Sequence, residues 1–333
     1  PKNYKAVLHS TFDTGKEARS YERNYVNRYC ASSSLWSNRR SGKKSLILNK
    51  INGAFLVFLG AICLSFGGII VKSFEGANEW QILFWRQFFF SIVVALYLLL
   101  VYKKKFFRSF YDSGLPGLVA GLFLSVGFSA YVFAMYYTTV ANTLFIITTE
   151  TIFLAVFGYI FLKEKISLIT FISIILGMSG VLLIIGSSLS IQTPSQFLGN
   201  IVAFIMPLSF AVLIIVVRKY PKVDMVPSQF TAGVFASLIA YFIADKLYIS
   251  SHDLFLGFLA GTFQIGFGFI MITVGSKTTP AAVVGILMLT EAVFGPFWAW
   301  LFINEIPPIS VISGGSIIIF AILFEFFFRS KKE

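Results

Sequence analysis

Two glutamates sit in apolar surroundings where a carboxylate is costly, and each is followed fourteen residues later by another. Glu150 and Glu164 lie in TTETIFLAVFGYIFLKEKIS (148–167), and Glu291 and Glu305 in LTEAVFGPFWAWLFINEIPP (289–308). A charged carboxylate at a membrane midplane costs about 2.5–3.5 kcal/mol, so Glu150 and Glu291 should face a protein interior, be paired, or carry a proton. Two readings follow: each holds a substrate amine or ferries a proton, or each is structural and bonded to a neighbouring helix end. Glu164 and Glu305 fall where one helix ends and the next begins, where an acid complements the next helix dipole. Their expected role is structural.

Arg86, in the string FWRQ, either anchors a carboxylate through its guanidinium fork or pairs with an acid such as Glu79. It lies close enough to the end of its span to snorkel. Tyr131, Asn142 and Gln264 are further polar groups in apolar runs, able to line a cavity and orient a zwitterion. Pro207 and Pro296 free backbone carbonyls and are expected to kink their helices, either as gates or for packing; Ala61 and Ala155 stand at the matching first-half positions. The pairs Gly117/Gly121 and Gly257/Gly261 remove side chains from one helix turn and are read as close-packing features.

No catalytic set, metal site or cofactor is expected. The histidines are His9 and His252, there is no H-E-x-x-H motif and no Gly-rich phosphate loop, and Cys30 and Cys63 make no disulfide framework. An intramembrane enzyme is disfavoured, and any concentrating power must come from an ion or substrate gradient rather than ATP.

The elements that must hold these residues are set by the solvent. With 57% hydrophobic and 13% charged residues, the chain has too little polar surface to coat a water-soluble globule. Most of the 39 Phe are expected to face acyl chains. A span needs about 20 apolar residues to cross roughly 30 Å of hydrocarbon. Ten segments qualify, at about 51–71, 80–102, 115–136, 139–162, 166–186, 197–217, 227–247, 254–274, 279–303 and 307–328. The expected class is an all-α integral membrane protein of ten transmembrane helices.

The formal net charge of +12 is an orientation signal and not a nucleic-acid signature. Arg39, Arg40, Lys43, Lys44, Lys50, Lys103, Lys104, Lys105, Arg108, Lys163, Lys165, Arg218, Lys219, Lys222, Lys277, Arg329, Lys331 and Lys332 fall on one side, against Lys72 and Lys246 on the other. Both termini are therefore placed in the cytoplasm. Residues 1–45 are read as a disordered polar segment, lying upstream of a native start or at the edge of a fragment. Residues 329–333 form a basic tail.

The two acid-bearing strings align at an offset of 141; Gly53 and Lys72 match Gly199 and Arg218 at 146, and Gly117 and Gly121 match Gly257 and Gly261 at 140. Five spans in each half, 51–186 and 197–328, mean that the second half enters the bilayer from the opposite face. Two inverted repeats suit alternating access. At the 146 offset Arg86 has Ala232 as its counterpart.

In these features the chain resembles the EamA-like transporters of the drug/metabolite transporter superfamily, over about residues 51–328. The resemblance rests on Glu150, Glu164 and Gly180, on Glu291, Glu305 and Gly314, and on Arg86. Thr151 and Ala292 stand where the family often has proline, and Ser173 stands where Gly314 has glycine. The resemblance implies a multi-pass protein of the bacterial inner membrane that moves amino acids or other small metabolites through a central cavity between the halves. It also implies export more than uptake, with drug efflux and an uptake permease as alternatives; a non-catalytic scaffold or receptor is a lower-ranked class, which inverted repeats disfavour. Its partners would be a small-molecule substrate, membrane lipid and protons or another coupling ion. Its oligomeric state stays open.

Overall fold

Unpaired backbone N–H and C=O groups cannot be left in hydrocarbon, and a helix satisfies both within its own segment. The computed structural model describes residues 52–138, 140–186, 194–303 and 309–329, and every regular element among them is helical. The first part contains α1 (Gly53–Leu64), α2 (Gly67–Lys72), α3 (Glu79–Tyr102), α4 (Phe106–Tyr137), α5 (Val140–Thr148), α6 (Glu150–Leu162) and α7 (Leu168–Gly186). The second contains α8 (Pro194–Ala203), α9 (Ile205–Lys219), α10 (Val226–Ile243), α11 (Ser251–Leu259), α12 (Gly268–Ser276), α13 (Ala281–Met288), α14 (Thr290–Ile303) and α15 (Ile309–Arg329). A π-helical stretch, Ala260–Phe267, joins α11 to α12.

Eight helical runs are long and apolar enough to cross a membrane. One of them, Glu79–Tyr137, is 59 residues long, and Leu168–Ile184 is a shorter apolar helix. The long run arises because Lys103–Lys105, read from the sequence as loop, form a 3₁₀ turn that continues α3 into α4. Within α4, Gly114 adopts φ 57° and ψ −159°, a conformation open to glycine, and separates the polar stretch 106–113 from the apolar one that follows.

Several segments read as single spans are broken. Around Thr149 the ladder tightens from i−4 to i−3: Thr149 N–H bonds Ile146 O (3.1 Å) and Ile152 N–H bonds Thr149 O (2.9 Å). The same step recurs at Leu289, through Leu289 to Ile286 (3.2 Å) and Ala292 to Leu289 (3.1 Å). At the first break the hydroxyls of Thr148 and Thr149 donate back to Phe145 O and Ile146 O at 2.6 and 2.5 Å, competing with the ladder. Glu150 is thus the first residue of α6 and Glu291 the second of α14, not points within continuous helices.

The two prolines act differently. Pro207 cannot donate to Ala203 O, and the helix is interrupted at Phe204 between them. Pro296 lies inside α14, well after the Leu289 break, and does not interrupt its helix.

Glycine sets the closest helix approaches. A Cβ on Gly121 of α4 would lie 2.6 Å from Ser228 O of α10, while one on Gly261 would press on Arg86 O and Phe89 Cβ of α3. Opposite these two glycines stand Ser228 and Arg86. Gly257 lies against Trp85, whereas Gly117 meets Ser113 of its own helix and makes only ordinary contact with Met225. Beneath the site, Phe90, Phe128, Phe210 and Phe269 pack edge to face, with ring centroids 4.9 Å apart for Phe128/Phe269 and 5.3 Å for Phe90/Phe128. Phe107, Phe242, Phe302, Phe326 and Phe327 are exposed, as lipid-facing rings would be.

Candidate functional site

A small cavity of about 20 Å³ lies above this aromatic floor. It is lined by Arg86 (α3), Tyr131 (α4), Ile147 (α5), Glu150 (α6), Met206 and Phe210 (α9), Gln264 (π segment), Phe269 (α12), Met288 (α13), Glu291 (α14) and Leu64 (α1). Five of the six substrate-site candidates therefore converge. The side chain of Asn142, the sixth, lies outside the described residues.

Arg86 is 2% exposed and occupies the centre of the arrangement. Its Nε and Nη2 donate to Gln264 Oε1 at 3.4 and 3.3 Å, and its guanidinium lies 4.7 Å from the Tyr131 ring centroid and 5.9 Å from that of Phe128. Nη1 has no hydrogen-bond partner among the described residues, and a buried charged donor left without an acceptor is costly. Arg86 neither snorkels nor reaches Glu79, which instead accepts from Tyr137 Oη at 3.1 Å. The difference lies in the π segment: its wider turn presents Gln264 to the guanidinium, an acceptor from another helix that sequence spacing does not reveal.

Gln264 is itself fixed from the other end, its Nε2 donating to Leu64 O (3.3 Å) where α1 stops. Gly67 at the start of α2 has no room for a side chain, because a Cβ there would lie 2.5 Å from Tyr131 Oη and 2.6 Å from Gln264 Nε2. Glu150 is 2% exposed, and Glu291 is partly buried. Both lie in the first turn of a half-helix, where the helix dipole favours negative charge. Glu291 interacts electrostatically with Arg86 and with Glu150. One cation and two carboxylates thus share a site with room for about one water.

Glu164 has a different environment. Lys163 takes the left-handed conformation (φ 57°), Glu164 N–H closes back on Gly158 O at 3.1 Å, and the chain turns so that the carboxylate leaves its own helix. It pairs with Arg218 and accepts from Ala281 N–H (2.9 Å), capping α13 rather than the following helix α7. Glu305 lies outside the described residues.

Sequence reasoning missed Gly67 and the apolar lining. It also missed Gln87 and Gln229, both fully buried, although an amide in an apolar run is a visible signal. Gln229 Nε2 donates to Phe269 O (2.8 Å) and to Thr273, while neither amide atom of Gln87 has a partner among the described residues.

A helical protein with apolar exposed surfaces and a charged site buried among broken helices belongs to the class of integral membrane proteins with polar intramembrane centres. Residues 51–186 and again 195–327 match the EamA-like transporter family, and the chain belongs to that family. A relative from Methanothermobacter thermautotrophicus named "Uncharacterized transporter" is 25% identical over 186 residues, covering 53% of this chain and 53% of its own. The chain thus matches about half the length of that relative. A solved crystal structure is similar with a TM-score of 0.69 at 12% identity, covering 83% of this chain and 98% of that one, a likeness of fold alone. The family and the relative both carry the name of a transporter.

Proposed function

We propose that the chain is a secondary transporter of a small zwitterionic metabolite, an amino acid or related compound, working by alternating access. The reading is carried by one observation: Nη1 of the buried Arg86 has no hydrogen-bond partner among the described residues, beside a cavity that Glu150 and Glu291 also line. A substrate carboxylate would meet the guanidinium, and a substrate amine the half-helix carboxylates. A cavity of about 20 Å³ is far below the roughly 300 Å³ or more of a typical ligand pocket, so loading requires the halves to part.

Ten spans in two inverted halves, with both termini cytoplasmic in a bacterial inner membrane, complete the proposal. Support comes from the two family matches, the paired breaks at Thr149 and Leu289, and the matched glycine contacts of Gly121 and Gly261. Export is favoured over uptake by the family resemblance. Proteoliposomes loaded with pooled metabolites and assayed with and without a pH gradient test the reading. Saturable flux of a zwitterion is expected, and its absence for every candidate would overturn transport. Glu150→Gln and Glu291→Gln are each expected to lower flux and alter its pH dependence; wild-type behaviour in both would return the carboxylates to a structural role.

A further inference from the structure

A third carboxylate within an apolar helix stands apart from the central site. Glu325, in α15, is 3% exposed, and Thr170 Oγ1 of α7 donates to its Oε1 at 2.9 Å. Thr170 Oγ1 also lies 2.8 Å from Ser167 Oγ, which accepts from Thr170 N–H at 3.1 Å. A threonine has one hydroxyl proton, and here it is given to Glu325. Ser167 is therefore the donor in the hydroxyl pair, and both hydroxyl protons point toward the carboxylate.

The outer end of this chain of hydroxyls is accessible. Ser167 is exposed, and with Thr170 it lines a cavity of about 310 Å³ whose wall also includes Glu164, Lys165 and Arg218. Of the helices packed against α15, α7 and α13 carry no titratable side chain and α14 carries Glu291. Arg329 follows one turn later on α15 itself. Across the cavity Glu164 and Arg218 are paired with each other, leaving Lys165 as a further cation. On the α7 stripe formed by Thr170, Ser173, Gly177 and Gly180, Ser173 Oγ is a second buried polar group, without a hydrogen-bond partner among the described residues.

We propose that Glu325 is a second proton-binding site, separate from the central one, which exchanges its proton with the 310 Å³ cavity through Thr170 and Ser167. A proton from cavity water adds to Ser167 Oγ, the Ser167 hydroxyl proton passes to Thr170 Oγ1, and the Thr170 proton passes to Glu325 Oε1. One O–H bond forms and one breaks at each hydroxyl, and the product is a neutral carboxylic acid; the reverse sequence returns the proton. Protonation reverses the polarity of the Thr170–Glu325 link between α7 and α15 and so ties the packing of these helices to the proton concentration at that face.

The test uses the full chain in lipid nanodiscs. Infrared difference spectra between acidic and alkaline buffer are expected to show a carboxylic C=O band that is lost in Glu325→Gln and kept in Glu150→Gln/Glu291→Gln. Thr170→Val should keep the band, shift its frequency, and slow its deuterium exchange about tenfold or more. Because Glu325→Gln could misfold, dicyclohexylcarbodiimide labelling of the unaltered protein is read in parallel by peptide mass spectrometry, with Glu325 modified faster as pH falls. Absence of label on Glu325 at every pH overturns the site. An unchanged exchange rate in Thr170→Val overturns the route.

Discussion

At the scale of single residues, the arginine carries the most specific chemistry. Two of its nitrogens are committed to Gln264, and a third has no partner among the described residues, where the proposed substrate carboxylate would bind. Lysine would keep the charge but could not hold Gln264 and present a second donor in the same plane. Loss of one charge-assisted hydrogen bond is worth about 1.5–3 kcal/mol, on the order of ten- to a hundredfold in affinity. Arg86→Lys is therefore expected to raise the KM for transport by about tenfold or more while the protein still purifies as a folded monodisperse species; an unchanged KM would remove Arg86 from the binding site. Arg86, Tyr131, Gln264, Glu150 and Glu291 were legible in the sequence because polar groups stand out in apolar runs. Met206, Phe210, Phe269 and Met288 were not, since a residue facing lipid and one facing a cavity are equally apolar here.

At the scale of elements, the all-helical, apolar character of the chain was legible for the same reason that it exists: hydrocarbon demands long apolar helices. Their interruptions were not. The tightened turns at Thr149 and Leu289 and the π stretch holding Gln264 depend on partners far away in sequence, which no periodicity encodes. Helix contacts likewise depend on which of several glycines is the crossing point. The dipeptide Gly314–Gly315 separates the cases: a Cβ at 314 would lie 2.5 Å from Gly180 O and 2.7 Å from Ile184 Cγ1, whereas one at 315 meets nothing closer than Val293 Cγ1 at 3.8 Å. Gly314→Ala should force α15 from α7 and lower the melting temperature by several degrees, corresponding to about 1–3 kcal/mol. Gly315→Ala should be neutral or stabilising by about 0.5–1 kcal/mol, because alanine restricts the unfolded chain at no steric cost. Melting curves of the two variants decide it, and equal destabilisation would mean that the α7–α15 contact is not made through Gly314.

At the scale of the whole molecule, the two family-matched parts are joined at opposite ends by different chemistry. At one end Glu164 pairs with Arg218, Arg218 donates to Lys277 O (3.2 Å), and Lys277 pairs with Asp224 (3.0 Å), which also accepts from Tyr102 Oη (2.8 Å). At the other end the links are chiefly hydrogen bonds to backbone. Asp253 accepts from Glu75 and Gly76 N–H at 3.1 and 3.2 Å, Trp85 Nε1 donates to Leu247 O (2.8 Å), and Gln81 Nε2 donates to Tyr248 O (3.0 Å). Charge pairs this close to the surface, with side chains 16–22% exposed, are screened by salt in a way that backbone hydrogen bonds are not. The ionic end should therefore open first when screened or cut. Ala282, 8% exposed, lines the 310 Å³ cavity beside Arg218 and reports that end. With Cys30 and Cys63 replaced by serine, Ala282→Cys should react with a membrane-impermeant maleimide about fivefold faster when Arg218→Gln is added, the equivalent of roughly 1 kcal/mol. High salt should produce part of the same increase. Ala77→Cys, at the opposite end, should not speed up under either change. If both cysteines accelerate together, the ends are not separate latches and the molecule opens by loosening throughout; if neither does, the ion pairs do not hold the face closed.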